Sequence, residues 1–467
     1  MELSPRGGVV APSVVTIETP ALGDRSYLAH DGRVGVVVDA QRDFDRVLEA
    51  ADDAGVEITH VLETHIHNDY VTGGHALAFE TGAAYVVAAD EHVEFDRVPA
   101  RDGDTFQTGD LSVTALHTPG HTAHHLSFVL RDGGGEALAV FTGGSMLFGS
   151  VGRTDLLGAA QTEALTRAQY RSVRRLAHEL PAATAVHPTH GFGSFCSAIE
   201  TDGTESTIGD ERRANVAVVV EDEEEFVARL TAGLADYPRY YLHMAPANRR
   251  GPGPADLSIP REVDPDEIRA RIDGGEWVVD LRQRRAFARE HVSGTISVEY
   301  GDSFSTFLAW TIPWGTPLTL IADSPDALAG ARRQLVRVGI DRLEGVAASQ
   351  TSQLAAGRSA SYEATGFAGL AAALGRDGGG IVALDVRRPD EWRAGHVTGA
   401  VHIPFWELES RVVEVPPGEV WVYCHSGYRS AIAASILDRA GRHPVLVDDE
   451  WPQAAAAGVP VTTELDR

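Results

Sequence analysis

A repeat near the carboxyl end constrains this chain more than any other feature of its sequence. The segment VVDLRQRRAFAREHVSGTISV (278–298) resembles ALDVRRPDEWRAGHVTGAVHI (383–403) at a constant offset of 105. Four pairs of identical residues anchor the match: Asp280, Arg282, His291 and Gly294 against Asp385, Arg387, His396 and Gly399. Because strand-like and helix-like segments alternate in both copies, the repeat predicts two tandem α/β domains of about 100 residues, each with a parallel sheet.

The rest of the chain leaves room for one more domain. A length of 467 residues predicts about three domains in total. We place them at 1–250, 258–356 and 363–467, with a Pro/Gly-rich linker at 248–260 and a second linker at 357–366. In the first domain, the apolar spacing of 163–180 predicts a helix. Short β-branched runs predict strands at 35–40, 58–65, 84–89, 111–116, 126–130 and 138–143.

Charge and composition exclude several classes of function. A formal charge of −27 argues against nucleic acid and anionic membranes as partners, because like charges repel. The sequence contains no lysine, which excludes a lysine Schiff base and a P-loop. No apolar run reaches the length of about 18 residues that a membrane span needs. Since only two cysteines are present, we expect a cytoplasmic protein.

Cys424 lies in a segment that suits nucleophilic chemistry. The stretch YCHSGYRSAIAASIL (423–437) predicts a strand end, a glycine-containing turn and an amphipathic helix. Backbone N–H groups at a helix N-terminus, together with the guanidinium of Arg429, would favour a thiolate at Cys424 and hold its anionic persulfide. The alternative is a buried structural cysteine beside a tight turn.

These residues resemble the rhodanese family, whose pattern joins an Asp-Val-Arg strand and a Gly-His-x-x-Gly-Ala turn to a Cys-x-x-Gly-x-Arg loop. The segments LDVR (384–387), GHVTGAVHIP (395–404) and CHSGYRS (424–430) match this pattern almost throughout. The resemblance implies sulfur transfer through a Cys424 persulfide, with Arg429 in a catalytic role and a low-molecular-weight thiol persulfide or thiosulfate as the partner. The loop around the persulfide would then consist of His425, Ser426, Gly427, Tyr428 and Ser430.

Two features depart from that pattern. The segment DDEWP (448–452) stands where the family has a Gly-Gly turn, and we expect it to lie away from the loop. In the first copy, an offset of 102 places Ala322 at the position of Cys424. Without a thiol this copy cannot carry sulfur, so we expect it to serve for packing or docking.

Histidines are concentrated in the first domain. The segment ETHIHNDY (63–70) follows a predicted strand, HTPGHT (117–122) supplies a second histidine after a Pro-Gly turn, and HPTHGFGSFC (187–196) supplies a third. These segments resemble the metallo-β-lactamase superfamily, and GRTDL (152–156) and STIGDERRAN (206–215) extend the likeness to its glyoxalase II-like branch, which contains persulfide dioxygenases fused to rhodanese modules. The resemblance implies an αββα sandwich and a possible homodimer.

The same resemblance implies which residues bind a metal. A persulfide dioxygenase of this family holds one Fe(II) by two histidines and one aspartate, an arrangement that leaves positions open for O2 and substrate. His65 and His121 match the two histidines, but Gly144 stands in place of the aspartate. The positions of a second metal are Asp69, His190 and Tyr70, where a histidine is expected.

Several outcomes stay open for this site. His67, Asp69 or the Tyr70 phenolate could replace the missing carboxylate and hold Fe(II), zinc could bind to His65, His67 and His121, or no metal could bind. Tyr70 and Arg153 are candidates for the substrate pocket, although Arg153 could instead pair with Asp155.

Three functions compete on this basis. The first is a persulfide dioxygenase fused to a sulfurtransferase. The second is a sulfurtransferase alone, with a metal-deficient first domain that is not catalytic. The third and weakest is a thioester hydrolase that uses a metal-bound hydroxide.

Overall fold

The structure, a computed structural model, describes residues 12–198, 203–355, 357–376 and 380–463. Its contacts form two compact units, residues 1–255 with 336–339 and residues 256–335 with 340–467. The second unit therefore contains both copies of the repeat. The predicted domain limits at residues 1, 356 and 467 lie outside the described residues. No helix in the described part of the chain has the length and apolar character needed to cross a membrane.

The first unit is built from strands β1–β11 and helices α1–α7. In chain order these are β1 (Ser13–Thr19), β2 (Asp24–His30), β3 (Val34–Val38), α1 (Asp45–Ala54), β4 (Glu57–Leu62), α2 (Gly74–Thr81), β5 (Ala84–Ala88), β6 (Val98–Ala100), β7 (Thr105–Thr108), β8 (Leu111–His117), β9 (Leu126–Arg131), β10 (Ala137–Gly143), α3 (Ala159–Glu179), β11 (Ala185–Pro188), α4 (Ile208–Ala214), α5 (Val216–Val219), α6 (Glu223–Ala232) and α7 (Tyr241–Arg249).

Two sheets pack face to face in this unit. One has the order β1-β2-β3-β4-β5-β6 and the other the order β11-β10-β9-β8-β7. Strand β8 shows why they stack, because Leu111, Val113 and Ala115 alternate with less buried residues and so share one apolar face. That face joins Val38 and Phe128 in a core between the sheets. Helices α1 and α2 cover the outer face of the first sheet and α3 covers that of the second, which gives the expected αββα layers.

Local sequence explains the helices that frame the sandwich. Helix α1 ends at Gly55, which adopts φ 66° and donates its N–H to the last turn of the helix, as a left-handed C-cap requires. Helix α3 buries Leu165, Val173 and Leu176 on one side and ends at Glu179, two residues before Pro181. The helix predicted at 163–180 is therefore present and begins four residues earlier.

The second unit begins with the first copy of the repeat and continues into the second. In chain order its elements are α8 (Pro265–Asp273), β12 (Trp277–Asp280), α9 (Arg284–Arg289), β13 (His291–Val292), β14 (Ile296–Ser297), α10 (Phe304–Thr311), β15 (Leu318–Ile321), α11 (Pro325–Arg337), β16 (Leu343–Ala347), α12 (Thr351–Ala355), β17 (Ser359–Ala360), β18 (Glu363–Thr365), α13 (Phe367–Leu374), β19 (Ile381–Asp385), α14 (Pro389–Ala394), β20 (His396–Val397), β21 (Val401–His402), α15 (Leu408–Arg411), a 3-10 helix (Val412–Glu414), β22 (Glu419–Tyr423), α16 (Tyr428–Arg439), β23 (His443–Val447), α17 (Gln453–Ala456) and β24 (Val461–Thr462).

The two copies build equivalent parallel sheets. The first has the order β14-β12-β15-β16 and the second the order β18-β23-β22-β19-β21. All pairings within these two sheets are parallel. A parallel bridge from Glu262 to Val346 in the first copy stands where β18 pairs with β23 in the second. The predicted α/β repeat is therefore present strand by strand.

The second predicted linker is not a linker in the structure. Residues 357–366 contain β17, which pairs with β13 of the first copy, and β18, which adds an edge strand to the sheet of the second copy. The sequences of β17 and β18 are short and polar and therefore do not predict strands. An edge strand is stabilised by pairing with its neighbour more than by its own apolar residues.

Candidate functional sites

The histidines of the first unit meet at the ends of three strands. His65 and His67 follow β4, His121 lies in the loop between β8 and β9, and His190 follows β11. Parallel and neighbouring strands end at a common edge of the sandwich, so residues far apart in sequence come together there. The ring centroids of His65 and His121 are 4.8 Å apart, and those of His121 and His190 are 5.3 Å apart.

Three of these imidazoles converge on one point. The Nε2 atoms of His65 and His190 are 3.4 Å apart, and ligand atoms of His65, His121 and His190 all lie within 4.8 Å of one another. The Nδ1–H group of His121 donates to the Arg153 carbonyl at 2.7 Å, which leaves its Nε2 lone pair buried and without a hydrogen-bond partner. An unpartnered, oriented imidazole nitrogen of this kind is what a metal ligand requires.

Carboxylates behind the rings fix their charge. His190 Nδ1 contacts Asp24 at 2.9 Å and Asp69 at 3.1 Å, and these two groups raise the pKa of His190 although burial opposes this. Burial, followed by the charge of Asp69, raises the pKa of Asp24 to about 7. Burial and the charge of His190 lower the pKa of His121 to about 3, so His121 is neutral and able to act as a ligand.

His67 is engaged elsewhere. Its Nε2 atom lies 3.1 Å from Glu63, 3.3 Å from Asp39 and 3.0 Å from the Tyr70 hydroxyl. Burial lowers the pKa of His67, but the charge of Asp39 and the hydrogen bonds to Asp39 and Glu63 outweigh it and raise the pKa to about 9. The Nε2 atom of His67 is thus occupied by two carboxylates and a hydroxyl. The pKa of His190 is raised in the same way, but its Nε2 atom faces His65 and would bind a metal ion after losing its proton.

Tyr70 does not supply the missing anionic ligand. Its ring is fully buried against His67, with the ring centroids 4.3 Å apart. Burial, and then the charges of Asp39 and Glu63, raise the pKa of Tyr70 far above its ordinary value. The phenolate form is therefore strongly disfavoured.

Gly144 leaves no room for the aspartate of the expected iron site. A Cβ atom built on Gly144 would lie 2.2 Å from Cδ2 of His121, so the His121 ring occupies the space that a side chain at this position would need. The residues present thus fit a single metal ion held by three imidazoles. Two other groups also bring ligand atoms within 4.8 Å of one another, and each combines two histidines with one aspartate. One consists of Asp39, His65 and His67, and the other of Asp69, His67 and His190.

Arg153 is used structurally. Its guanidinium pairs with Asp155 at 2.7 Å and 2.8 Å, donates to the carbonyls of Phe195 and Ala235, and stacks over Tyr237. All three guanidinium nitrogens of Arg153 have partners, so its charge is not available to a substrate. Arg153 contributes to the metal site through its backbone carbonyl, which orients His121. The internal ion pair considered from the sequence is therefore present.

Sequence reasoning missed the carboxylates that surround the cluster. Asp39 accepts hydrogen bonds from the backbone N–H and the hydroxyl of Thr64 at 2.7 Å each, and it also accepts from Thr189. It is the one charged residue of the strand predicted at 35–40, and this acidic residue at the end of an apolar run is the signal that could have identified it. Glu63 lies in the same way near the end of the strand predicted at 58–65. Asp24 carries no such signal, because only the packing of the loops reveals its partner.

A cavity of about 340 Å³ opens beside the cluster. Residues on the same loops as the metal-site histidines line part of it: Ile66, Asn68, Thr122, Ala123 and His124. The cavity offers space for a substrate next to the three imidazoles.

Cys424 lies in a different setting, at the start of a helix in the second unit. It directly follows β22, is 1% exposed, and its thiol donates to the Ser430 hydroxyl at 3.5 Å. Gly427 adopts φ 86° to turn the chain into α16 and provides no side-chain cap. Among the described residues, none accepts a hydrogen bond from the backbone N–H groups of 425–429. These free donors are available to an anionic sulfur.

Arg429 is not a free cation. Its guanidinium forms two hydrogen bonds with Glu391, at 2.5 Å and 2.8 Å, and both side chains are largely buried. Burial opposes ionisation of Glu391, but the hydrogen bond and the charge of Arg429 outweigh it and lower the pKa of Glu391 to about 2. Arg429 thus fixes the start of α16 onto α14, and any catalytic effect of its charge is reduced by its partner.

The segment 448–452 contacts the cysteine loop, contrary to the sequence-based expectation. The Trp451 N–H donates to the His425 carbonyl at 2.7 Å. A Cβ atom built on Gly427 would lie 2.1 Å from a carboxylate oxygen of Asp448. The expectation was wrong because it placed the segment by its distance in sequence, whereas β22 and β23 are neighbours in the sheet and their following loops meet.

Two parts of the chain match known proteins. The family model for the rhodanese-like domain matches residues 370–453. The chain is 30% identical to human mitochondrial persulfide dioxygenase ETHE1 over 265 residues, which cover 53% of this chain and 92% of that protein. It is 34% identical to the hydroxyacylglutathione hydrolase of Methylococcus capsulatus over 184 residues, which cover 38% of this chain and 66% of that protein.

A solved structure supports the fold. A metallo-β-lactamase from Staphylococcus aureus superimposes with a TM-score of 0.65 at 25% identity, over 72% of this chain and 98% of that one. These likenesses support a role in sulfur metabolism and a metal at the histidine cluster. The chain belongs to the family of the persulfide dioxygenase ETHE1, with the metallo-β-lactamase fold in its amino-terminal part and a rhodanese-like domain at its carboxyl end.

Proposed function

We propose that this protein is a sulfurtransferase that carries sulfane sulfur on Cys424. The observation that carries the proposal is the loop itself, in which a buried thiol lies at an uncapped helix N-terminus whose amides have no acceptor among the described residues. The match to the rhodanese-like domain supports it. A low-molecular-weight thiol persulfide or thiosulfate is the proposed donor.

The transfer takes place in two displacements. In the first, the Cys424 thiolate attacks the outer sulfur of the donor, the sulfur–sulfur bond of the donor breaks, and the donor leaves as its thiol or, from thiosulfate, as sulfite. In the second, an acceptor nucleophile attacks the outer sulfur of the Cys424 persulfide and the Cys424 thiolate is released. Between the two steps the amides of 425–429 stabilise the terminal persulfide anion.

Replacement of the thiol tests this function. We expect Cys424→Ser to abolish sulfur transfer from thiosulfate or glutathione persulfide to cyanide, measured as thiocyanate formed. Cys196→Ser is the matched control, because Cys196 is the other cysteine and is buried in the first unit. Transfer that persists in Cys424→Ser would overturn the assignment.

A second candidate function concerns the histidine cluster. The convergence of His65, His121 and His190 on one point favours a metal-dependent reaction of a thiol persulfide in the first unit, as in the related persulfide dioxygenase. Bound iron would supply the oxygen chemistry of such a reaction. The chain itself would hold the ion through three imidazoles, orient His121 and His190 through the Arg153 carbonyl and Asp69, and hold the substrate in the adjoining cavity.

Metal binding can be tested apart from activity. We expect protein loaded anaerobically with Fe(II) or Co(II) to retain about one ion per chain, as three imidazoles suit a single site. His121→Ala and His190→Ala should lose both the ion and the visible bands of Co(II). His124→Ala is the control, because His124 faces the cavity outside the three-histidine set. Oxygen uptake with glutathione persulfide then tests the dioxygenase reaction, and absence of uptake in the iron-loaded protein would leave the sulfurtransferase alone.

A further inference from the structure

Arg284, in the repeat copy without a cysteine, reaches the cysteine loop of the other copy. Its Nε–H donates to Asp448 at 2.6 Å and its Nη1–H to Glu299 at 2.7 Å. Its Nη2–H donates to the backbone carbonyl of Ser426 at 3.3 Å. Arg284 thus connects a carboxylate of its own copy with a carboxylate and a loop carbonyl of the copy that contains Cys424.

Asp448 is the inner part of this connection. It is 8% exposed and lies against the turn at Gly427, where no space for a Cβ atom remains. A buried carboxylate in this position would be costly without a cation, and Arg284 supplies one. The ion pair of Arg284 and Asp448 therefore packs against the turn at Gly427 and holds the cysteine loop in place.

Two further hydrogen bonds fix neighbouring residues of the loop. The Tyr428 hydroxyl donates to the Glu299 carbonyl of the first copy at 2.5 Å, and the Trp451 N–H holds the His425 carbonyl. Residues 425, 426 and 428 are therefore each held by an atom outside the loop.

The direction of these bonds determines where the free amides point. In a trans peptide the carbonyl and the following N–H point to opposite sides, and no peptide bond among the described residues is cis. Because Arg284 holds the Ser426 carbonyl and Trp451 holds the His425 carbonyl, the N–H groups of Gly427 and Ser426 point away from these partners. These two N–H groups are among the donors without an acceptor in the described residues.

We propose that Arg284 is a positioning residue for sulfur transfer, which holds the loop so that its amides face the sulfur on Cys424. This inference rests on the function proposed above for the Cys424 loop. The repeat copy with Ala322 would then have a role, which is to bind the cysteine loop of the other copy and hold it in position. Arg284 itself touches neither Cys424 nor the reacting sulfur.

Arg285 provides a matched control. It also binds Asp448, through its Nε–H and through a bond of 2.9 Å from Nη2–H to the Asp448 carbonyl, but it forms no hydrogen bond or ion pair with residues 424–430 in the described structure. Arg284→Ala and Arg285→Ala each remove one ion pair with Asp448, and only the first releases the Ser426 carbonyl. Arg284→Ala also removes the ion pair with Glu299, so Glu299→Gln, which removes that pair alone, is a second control. A loss that appears in Arg284→Ala and in neither control reports on the loop.

Two readouts separate positioning from general destabilisation. We expect Arg284→Ala to lower kcat for sulfur transfer on the order of tenfold with KM changed less than about twofold, as one hydrogen bond to a charged group allows. We also expect its curve of Cys424 alkylation rate against pH, followed by peptide mass spectrometry, to move to higher pH. Arg285→Ala should match the wild type in both, and Arg284→Lys should recover part of the loss.

The alkylation curve keeps this inference separate from the proposed function, because it requires no sulfur transfer. Equal kcat values and equal alkylation curves for Arg284→Ala and Arg285→Ala would overturn the positioning role. If Arg284→Ala does not fold, Tyr428→Phe releases the neighbouring loop residue with a smaller change. An alkylation curve for Tyr428→Phe identical to that of the wild type would then contradict the proposal.

Discussion

The two copies of the repeat share a structural motif and differ at the site that the motif supports. In the first, Arg282 pairs with Asp280 at 2.7 Å. In the second, Arg387 pairs with Asp385 at 2.6 Å. An aromatic ring then stacks on the repeated histidine in each copy, Phe287 on His291 with ring centroids 4.0 Å apart and Trp392 on His396 at 3.4 Å. Shared sequence thus produces the same local structure twice.

The helices that follow the central strands begin differently. In the first copy α11 starts with Pro325, and the Ser324 hydroxyl caps it by accepting from the Ala327 N–H at 3.2 Å. In the second copy Gly427 extends the loop by one residue and leaves the start of α16 without a side-chain cap. In a capped helix a side chain accepts a hydrogen bond from a backbone N–H group of the first turn. In an uncapped helix these N–H groups are available to a ligand. The two copies therefore differ in the turn as well as in the thiol.

One ion pair belongs to the second copy alone. Glu391 and Arg429 correspond, at offsets of 105 and 102, to Ala286 and Ala327 of the first copy. The pair joins α14 to α16 at the end of the cysteine loop. Its presence only beside the thiol indicates that it holds the cysteine loop in place as well as stabilising the fold.

Transfer of the thiol from the second copy of the repeat to the first gives the largest expected effect on sulfur transfer. We expect the double variant Cys424→Ser with Ala322→Cys to show no sulfur transfer above background, because the first copy has a capped helix and no glycine turn. Thiocyanate formation from thiosulfate and cyanide is the measurement. Ala322→Cys alone should keep wild-type activity, which confirms that the small buried substitution is tolerated. Recovery of transfer in the double variant would show that the turn is dispensable.

The shared Asp–Arg pair predicts a large and unequal loss of stability. Arg387 is 2% exposed and its guanidinium also stacks over Trp451 at 3.9 Å, whereas Arg282 is 10% exposed. Arg387→Ala leaves Asp385 buried and unpaired, so we expect a loss of about 3–5 kcal/mol, and a smaller loss for Arg282→Ala.

Tryptophan fluorescence during urea unfolding measures these losses selectively. All seven tryptophans lie at or after residue 277, so the signal reports on the second unit. Equal shifts of the urea midpoint for the two variants would show that the deeper burial of Arg387 does not make its ion pair more important for stability than that of Arg282.

The Glu391–Arg429 pair predicts a smaller effect that depends on pH. The pKa of Glu391 is lowered from its ordinary value of 4.5 to about 2, so its ionised form stabilises the folded state. This contribution of about 3 kcal/mol is fully present above pH 4.5 and is lost as the pH falls through about 2.

Unfolding by urea over a series of acidic pH values checks this prediction. We expect Glu391→Gln to be less stable than the wild type at neutral pH, and the difference to shrink as the solution is acidified. A difference that stays constant with pH would assign the effect of the variant to packing and not to charge. Ala286→Gln, at the equivalent position of the first copy, controls for the introduction of an amide.

Much of the fold was predictable because it depends on local patterns. The strands expected at 84–89 and 138–143 are β5 and β10, and the offset of 105 identified both copies. Strands β1, β2, β7 and β18 were not predicted, since their residues are less apolar and their stability comes from pairing with neighbours.

The histidine cluster was predictable only in part. The motifs identified His65, His121 and His190, because metal-ligand residues follow strands at fixed spacings. They could not show that Asp39 and Glu63 hold His67 as a cation, or that the His121 ring fills the space beside Gly144. Those facts depend on which loops meet at the edge of the sandwich, and this is a property of the packed sheets.

The sequence by itself determined the repeat, the position of the thiol and the loss of two expected metal ligands, since each is a matter of residue identity and spacing. Only the tertiary structure decided that Arg429 is neutralised by Glu391, that Asp448 supports the turn at Gly427, and that Arg284 reaches the Ser426 carbonyl. The physical reason is that charges and hydrogen bonds act over a few ångströms in space, and the partners here are separated by 21 to 142 residues along the chain.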